Sequence, residues 1–269
     1  MSLIQFLLPQ HLLSRLMFRF ARIKTPWIKN SFTAWFVSKY KVDLSEAEIE
    51  NIHDYSHFND FFTRPLKKGL RPISQSKLIS PVDGVISQAG NIENSMILQA
   101  KGKQYSVTSL LADNEKNNHY RSFLTIYLSP KDYHRIHMPC DGILKSMRYI
   151  PGNLFSVNQN TVNNINNVFA RNERLVCLFD TDFGEMALVL VGAIFVGSME
   201  TIWAGQITPP YTKLVKTYDY EGRQIKISKG DELGRFNMGS TVILILPQDS
   251  PRLNLEADQD LKMGQSLTE

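Results

Sequence analysis

A chain of 269 residues can bury one sizeable core, or one core with a small appendage, and its 43% hydrophobic and 21% charged content excludes a disordered protein. Two cysteines, Cys140 and Cys177, exclude a disulfide framework and fit a reducing compartment, while no uncharged apolar run approaches the roughly 20 residues that span a bilayer. The net charge of +4 is unevenly spread: residues 1–42 carry seven of the 30 basic residues and no acid, leaving 23 basic against 26 acidic elsewhere, or about −3.

That basic segment comes first in the chain. Leu13, Leu16, Met17 and Phe20 recur at i, i+3, i+4 and i+7, with Arg15, Arg19 and Arg22 on another face, which predicts an amphipathic helix over residues 10–24. After Pro26 a second segment, through Tyr40, adds Trp27, Phe32, Trp35 and Phe36. Large apolar and aromatic residues mixed with bases and free of acids suit a helix lying in an anionic lipid interface. A helical hairpin packed on the core, with solvated arginines, is the alternative. Nucleic acid is not the expected partner, because large aliphatics dilute the bases and the rest of the chain is slightly acidic. The N-terminus shows neither the basic n-region nor the small-residue cleavage site of a signal peptide, so the bulk of the protein is expected in the cytoplasm.

Ser45-Glu46-Ala47-Glu48 has the pattern of a capping box and predicts a short helix, and residues 57–65 predict a brief helix ending at Pro65. Beyond residue 80 the pattern turns to short strands, expected at 84–88, 96–101, 122–128, 143–150, 175–179, 185–196, 201–203 and 241–246. Asp180-Thr181-Asp182-Phe183-Gly184 joins two of them as a hairpin. No helical pattern separates the strands regularly, which argues against a doubly wound parallel sheet. The expected fold class is α+β: a predominantly antiparallel β domain over 43–269, carrying an amphipathic helical docking segment over 1–42.

The chemistry concentrates at a few places. Pro81-Val82-Asp83-Gly84-Val85 and Pro139-Cys140-Asp141-Gly142-Ile143 echo each other, and tight Asp-Gly turns opening strands account for both backbones. Between them lies Asp132-Tyr133-His134-Arg135-Ile136-His137, whose two histidines suit structural, acid/base or metal-binding roles. Gly239-Ser240 runs directly into the apolar strand Val242-Ile243-Leu244-Ile245-Leu246. A serine hydroxyl in a strained turn can attack the preceding carbonyl to give an ester; elimination then releases the upstream chain, and the remaining dehydroalanine hydrolyses to a pyruvoyl ketone. By itself the dipeptide does not differ from Gly197-Ser198. Asp83, His137 and Ser240 could also form a hydrolytic triad, although Ser240 lacks the Gly-x-Ser-x-Gly surround of a nucleophile elbow.

The sequence resembles the bacterial phosphatidylserine decarboxylases of the pyruvoyl-dependent, membrane-associated type. The likeness is carried by Phe58-Asn59-Asp60-Phe61-Phe62-Thr63-Arg64-Pro65, Pro81-Val82-Asp83-Gly84-Val85, Ser129-Pro130-Lys131-Asp132-Tyr133-His134-Arg135-Ile136-His137-Met138-Pro139-Cys140, Phe155-Ser156-Val157-Asn158, Phe169-Ala170-Arg171-Asn172-Glu173-Arg174 and the terminal Gly239-Ser240-Thr241. Met238 stands where the family usually has leucine, a change close in volume.

The resemblance implies self-processing by Asp83, His137 and Ser240, with cleavage between Gly239 and Ser240. The products would be a large chain, 1–239, and a small chain, 240–269, held as a heterodimer. The cofactor would be covalent pyruvate, a pyruvoyl group made from Ser240 that takes the substrate amine as a Schiff base. The implied substrate is phosphatidylserine in an anionic membrane, decarboxylated to phosphatidylethanolamine. His134 is expected to serve the decarboxylation and protonation step, and Phe155 and Val157 to wall the substrate. No metal is expected. A peripheral position on the cytoplasmic side of the cell membrane follows, and a homo-oligomer is compatible with it.

Overall fold

The strand Val242–Leu246 organises the molecule: five consecutive aliphatic residues can all be buried only where both sheet faces are covered. The structure, a computed structural model, describes residues 3–113, 119–195, 198–237 and 240–268. Its helices are α1 (Gln10–Phe20), α2 (Pro26–Tyr40), α3 (Phe58–Phe62), α4 (Val107–Leu111), α5 (Gln159–Asn164) and α6 (Val168–Arg171). Its strands are β1 (Gly84–Asn91), β2 (Met96–Ala100), β3 (Lys103–Ser106), β4 (Tyr120–Leu128), β5 (Arg135–His137), β6 (Gly142–Ile150), β7 (Arg174–Thr181), β8 (Gly184–Val191), β9 (Met199–Thr201), β10 (Gly205–Gln206), β11 (Lys216–Asp219), β12 (Lys226–Ile227), β13 (Glu232–Phe236), β14 (Ser240–Pro247) and β15 (Asp260–Leu261).

Nine strands form one antiparallel sheet in the order β11-β6-β7-β8-β14-β4-β1-β15, with β12 also on β6. One face, through Phe123, Val176, Val189, Val191, Ile243 and Ile245, packs against Phe36, Phe58, Phe61 and Phe62 of α2 and α3 and against the shorter helices. The other face, through Leu124, Leu175, Leu190, Val242 and Leu244, packs against a four-stranded sheet, β10-β9-β13-β5, through Ile136, Met199, Leu233 and Phe236. The α+β class and antiparallel core are as the pattern predicts, and the hairpin at 180–184 joins β7 to β8.

Several expectations are corrected. Residues 45–48 form no helix: the Ser45 N–H and hydroxyl donate to the Asp43 carboxylate instead, and Ala47 bridges Leu66, so the capping-box pattern lost to a β contact. The strand expected over 185–196 ends at Val191, and 196–197 lie outside the described residues. The helix expected over 10–24 ends at Phe20, and α1 turns Gln10 and Ser14 to the body. Gln10 and Ser14 are buried, accepting from Leu154 N at 2.6 Å and Phe195 N at 3.2 Å, while Leu12 and Leu16 are 55% and 54% exposed. Periodicity identifies which residues share a face; here backbone donors of distant segments decide which face docks.

Candidate active site

Ser240 opens the central strand, paired with Leu128 of β4, while Tyr127 pairs with Val85 of β1. The same row therefore continues to Gly84, with Asp83 just before it. That close approach excludes a side chain at position 84, where a Cβ would lie 2.5 Å from Tyr127 O. His137 reaches the same end of the sheet, because its backbone N–H donates to Pro81 O at 2.8 Å and β5 pairs with β13. Phe236 N donates to His134 O, and Asn237 joins Ser198 and Asn59 by side-chain bonds of 2.8 and 3.0 Å. These contacts hold the chain at the end of β13.

Asp83 is buried and held by cations and a backbone donor. Arg71 grips both of its oxygens, with Nε at 3.0 Å from Oδ1 and Nη2 at 2.6 Å from Oδ2, and Met263 N donates to Oδ1 at 2.8 Å. The same guanidinium holds Glu46, and its two acidic partners keep its proton above the usual arginine range. Lys262 approaches at 3.4 Å. Asp83 has no described hydrogen bond to His137, although its negative charge favours the protonated form of both His134 and His137.

The two histidines have defined tautomers, because a carbonyl can only accept. His137 Nδ1 donates to Gly230 O at 2.7 Å, so Nε2 carries the lone pair and takes a bond from Tyr133 OH at 3.0 Å. Burial lowers its proton affinity. His134 Nδ1 donates to Asp132 O at 2.8 Å, while Nε2 is buried with no described partner. Burial drives His134 down to about 3, so its ring is neutral at neutral pH. Its ring lies 4.2 Å, centroid to centroid, from Phe62 of α3.

Ser240 Oγ is also buried without a described partner, as is Thr241 Oγ1 on the opposite face. Unpartnered buried groups are rare in folded proteins and concentrate where a ligand or reaction completes them. Met238 and Gly239 lie outside the described residues, so the expected scissile bond has no geometry here. Phe155 and Val157 are buried in the helical-side core. Asn172 links Phe155 to this end of the sheet: it donates to Phe155 O and to Gly192 O, and Gly192 follows the Val191 that pairs with Thr241. Asp83 itself lines a cleft of about 200 Å³ with Arg64, Asp132 and Tyr133. Among the described residues no three His, Cys, Asp or Glu side chains gather as metal ligands.

Sequence reasoning missed Arg71, Tyr133 and Gly230. Tyr133 stood inside the histidine motif and could have been flagged as a phenol four residues before His137. Arg71 and Gly230 sit in loops, and only the fold brings them to Asp83 and His137.

Comparison with known proteins adds a family. A family model described as phosphatidylserine decarboxylase matches residues 58–269, and a second, described as PSD, matches residues 2–41. The chain is 52% identical to a phosphatidylserine decarboxylase proenzyme of Ectopseudomonas mendocina, over 98% of this chain and 95% of that one. It is 52% identical to a proenzyme of the same description from Nitrosococcus oceani, over 99% and 90% of the two chains. For the one from Hahella chejuensis the identity is 48%, over 98% and 91%.

Proposed function

Because the chain belongs to the phosphatidylserine decarboxylase family, we propose that it converts phosphatidylserine to phosphatidylethanolamine and CO2 with a pyruvoyl group made from its own Ser240. The observation that carries this reading is the buried, unpartnered Ser240 hydroxyl at the start of the central strand, at the end of the sheet that also holds Asp83 and His137. The residues present fit the group: the Ser240 hydroxyl is buried and unpartnered at the start of β14, and Gly192, one position past the Thr241 pairing on β8, carries no side chain of its own. A ketone there supplies an acceptor for the substrate amine and a sink for the electron pair left when CO2 departs.

In this reading His137 takes the proton of Ser240. Its lone pair is on Nε2, so the hydroxyl exchanges places with Tyr133 OH, and Nδ1 stays fixed by Gly230. Asp83 acts through its charge, which favours the imidazolium that forms. His134, its Nε2 bare, serves the decarboxylation and protonation step. Phe155 and Val157 contribute apolar wall. After cleavage the small chain remains seated, because β14 bonds to β8 on one side and β4 on the other, and β15 bonds to β1. Under denaturing conditions the purified protein is therefore expected to give two masses, residues 1–239 and a 30-residue chain with a blocked N-terminus, as 240–269 contains. A single intact mass from active enzyme would overturn the proposal.

The substrate stays in the bilayer, and the N-terminal segment fits the task of meeting it. Among the described residues no helix is long and apolar enough to cross a membrane. Instead Leu7, Leu12, Leu16, Trp27 and Trp35 stand 50–86% exposed on a segment with seven bases and no acid. Such a surface supports peripheral docking on the anionic cytoplasmic leaflet. Replacing Leu12 and Leu16 together by aspartate is expected to lower co-sedimentation with phosphatidylserine vesicles at least about tenfold, through lost apolar burial and added like charge. Self-cleavage should continue, since both side chains are more than half exposed. Unchanged co-sedimentation would remove this segment from membrane docking.

A further inference from the structure

The N-terminal segment is fastened to one end of the large sheet, the end at which Ser240 opens β14. The row of pairs Ile150–Arg174–Val191–Thr241 crosses β6, β7, β8 and β14 there, and Ser240 lies one residue beyond it. Two segments leave the sheet just past that row, 152–156 after β6 and 192–195 after β8. Both are bonded to the N-terminal segment. Gln10 Oε1 accepts from Leu154 N at 2.6 Å, Gln5 Oε1 from Ser156 N at 2.7 Å and Ser14 Oγ from Phe195 N at 3.2 Å. His11 Nε2 donates to Gly152 O at 3.0 Å, and the Phe6 ring stands 4.8 Å, centroid to centroid, from Phe155. The polar side of α1 is taken up by this end of the body, which leaves Leu12 and Leu16 in the open.

A third segment meets α1 from the second sheet. After β10 the chain brings the Tyr211 ring to 5.1 Å from the His11 ring, with the Arg15 guanidinium 5.3 Å from its centroid. Three residues on, Leu214 and Val215 are 72% and 51% exposed, and Phe195, bonded to Ser14, is 45% exposed. Single exposed apolar residues are ordinary; several beside the exposed leucines of α1 are not. Their charge setting is one-sided. Residues 201–218 carry Lys213 and Lys216 and no acid, although acids outnumber bases 26 to 23 beyond residue 42. Apolar tips flanked by lysines suit an anionic bilayer, where the tips enter the acyl boundary and the bases meet headgroup phosphates.

We infer that the loops 193–195 and 209–215 form, together with α1, one surface that seats on an anionic bilayer, so that the Ser240 end of the large sheet faces the lipid. Phe195, Leu214 and Val215 enter the acyl boundary beside Leu12 and Leu16, and Lys213 and Lys216 lie at the level of the phosphates. The hydrogen bonds from Gln5, Gln10, His11 and Ser14 make docking and orientation one event, because α1 cannot seat without bringing that end of the sheet with it. A headgroup then has only to rise from the leaflet into the adjoining end of the body. This orientation rests on the peripheral docking proposed above and adds to it which end of the body meets the membrane.

The test uses the full chain with Leu214→Cys carrying a nitroxide. Cys140 and Cys177 are buried, 4% and 0% exposed, so the label is confined to position 214. Asp249→Cys, exposed in the turn at the other end of β14, carries the control label. On vesicles of phosphatidylcholine and phosphatidylglycerol in equal parts, the label at 214 is expected to become accessible to oxygen and protected from a water-soluble nickel complex. The label at 249 should stay open to nickel. Replacing Leu214 and Val215 together by aspartate is expected to lower co-sedimentation with the same vesicles at least about tenfold, with an unchanged urea unfolding curve. If that variant fails to fold, the label at 214 decides alone. A chain that sediments with the vesicles while the label at 214 remains open to nickel overturns the inference, as does a label at 249 that becomes protected instead. A label at 214 immobilised without vesicles, in a chain that runs as a dimer, also overturns it and assigns the loops to a second copy. A wild-type chain that does not sediment at all sinks the docking reading itself, which is scored before any label is attached.

Discussion

Replacing Ser240 with alanine is expected to leave one uncut chain of 30.8 kDa and to abolish decarboxylation at the same time. Both losses come from one atom. In the proposed chemistry the hydroxyl oxygen is first the nucleophile that divides the chain, and its loss by elimination lets the serine Cα become the reactive ketone carbon. No neighbour can stand in: Thr241 points to the opposite face, and Ser198 is buried with its hydroxyl bonded to Asn237. The substitution should hardly disturb the fold. Ser240 Oγ makes no described hydrogen bond, so removing it leaves no partner unsatisfied, and β14 keeps its backbone ladders to β4 and β8. Gel mobility, intact mass and product release, measured on S240A and wild type side by side, check the prediction. An ordinary serine hydrolase would give a whole wild-type chain whose Ser240 reacts with a fluorophosphonate. Turnover by an uncut S240A chain would remove Ser240 from the chemistry altogether.

The central strand was legible because five aliphatic residues in succession have few other uses, and the β7–β8 hairpin because Asp180–Gly184 has turn chemistry. Strands of two or three residues, such as β5, β10, β12 and β15, were not, since so short a segment has no period to detect. The site was legible only in part. Asp83, His137 and Ser240 could be named, but each has a partner contributed by a distant loop or strand. Arg71 is twelve residues from Asp83, and Gly230 is 93 from His137. Proton inventories were less legible still. A free imidazole titrates near neutrality and a free carboxyl well below it, yet burial drives His134 down to about 3 and Glu173 up to about 8. The sequence carries no direct sign of that inversion, because desolvation belongs to the packed state.

Arg71→Met is expected to destabilise the protein by about 3–5 kcal/mol, the usual result of removing one partner from a buried ion pair. The side chain is only 7% exposed and bridges Glu46 and Asp83, the latter 2% exposed, so methionine fills the space but leaves Asp83 without its bidentate partner. Lys262, at 3.4 Å and 57% exposed, replaces little of that interaction. The double variant Arg71→Met with Asp83→Asn separates stability from chemistry. With charge removed on both sides, most of the lost stability should return, as it does when a buried pair is replaced whole. Self-cleavage should not return, because His137 would still lack the negative charge that favours its protonated form. Urea unfolding and the rate of fragment appearance, followed on the two single variants and the double, measure the two quantities independently. A double variant that regains both would reduce Asp83 to a structural ion-pair partner, whereas one that regains neither would mean that Arg71 acts chiefly through Glu46 and the loop it anchors.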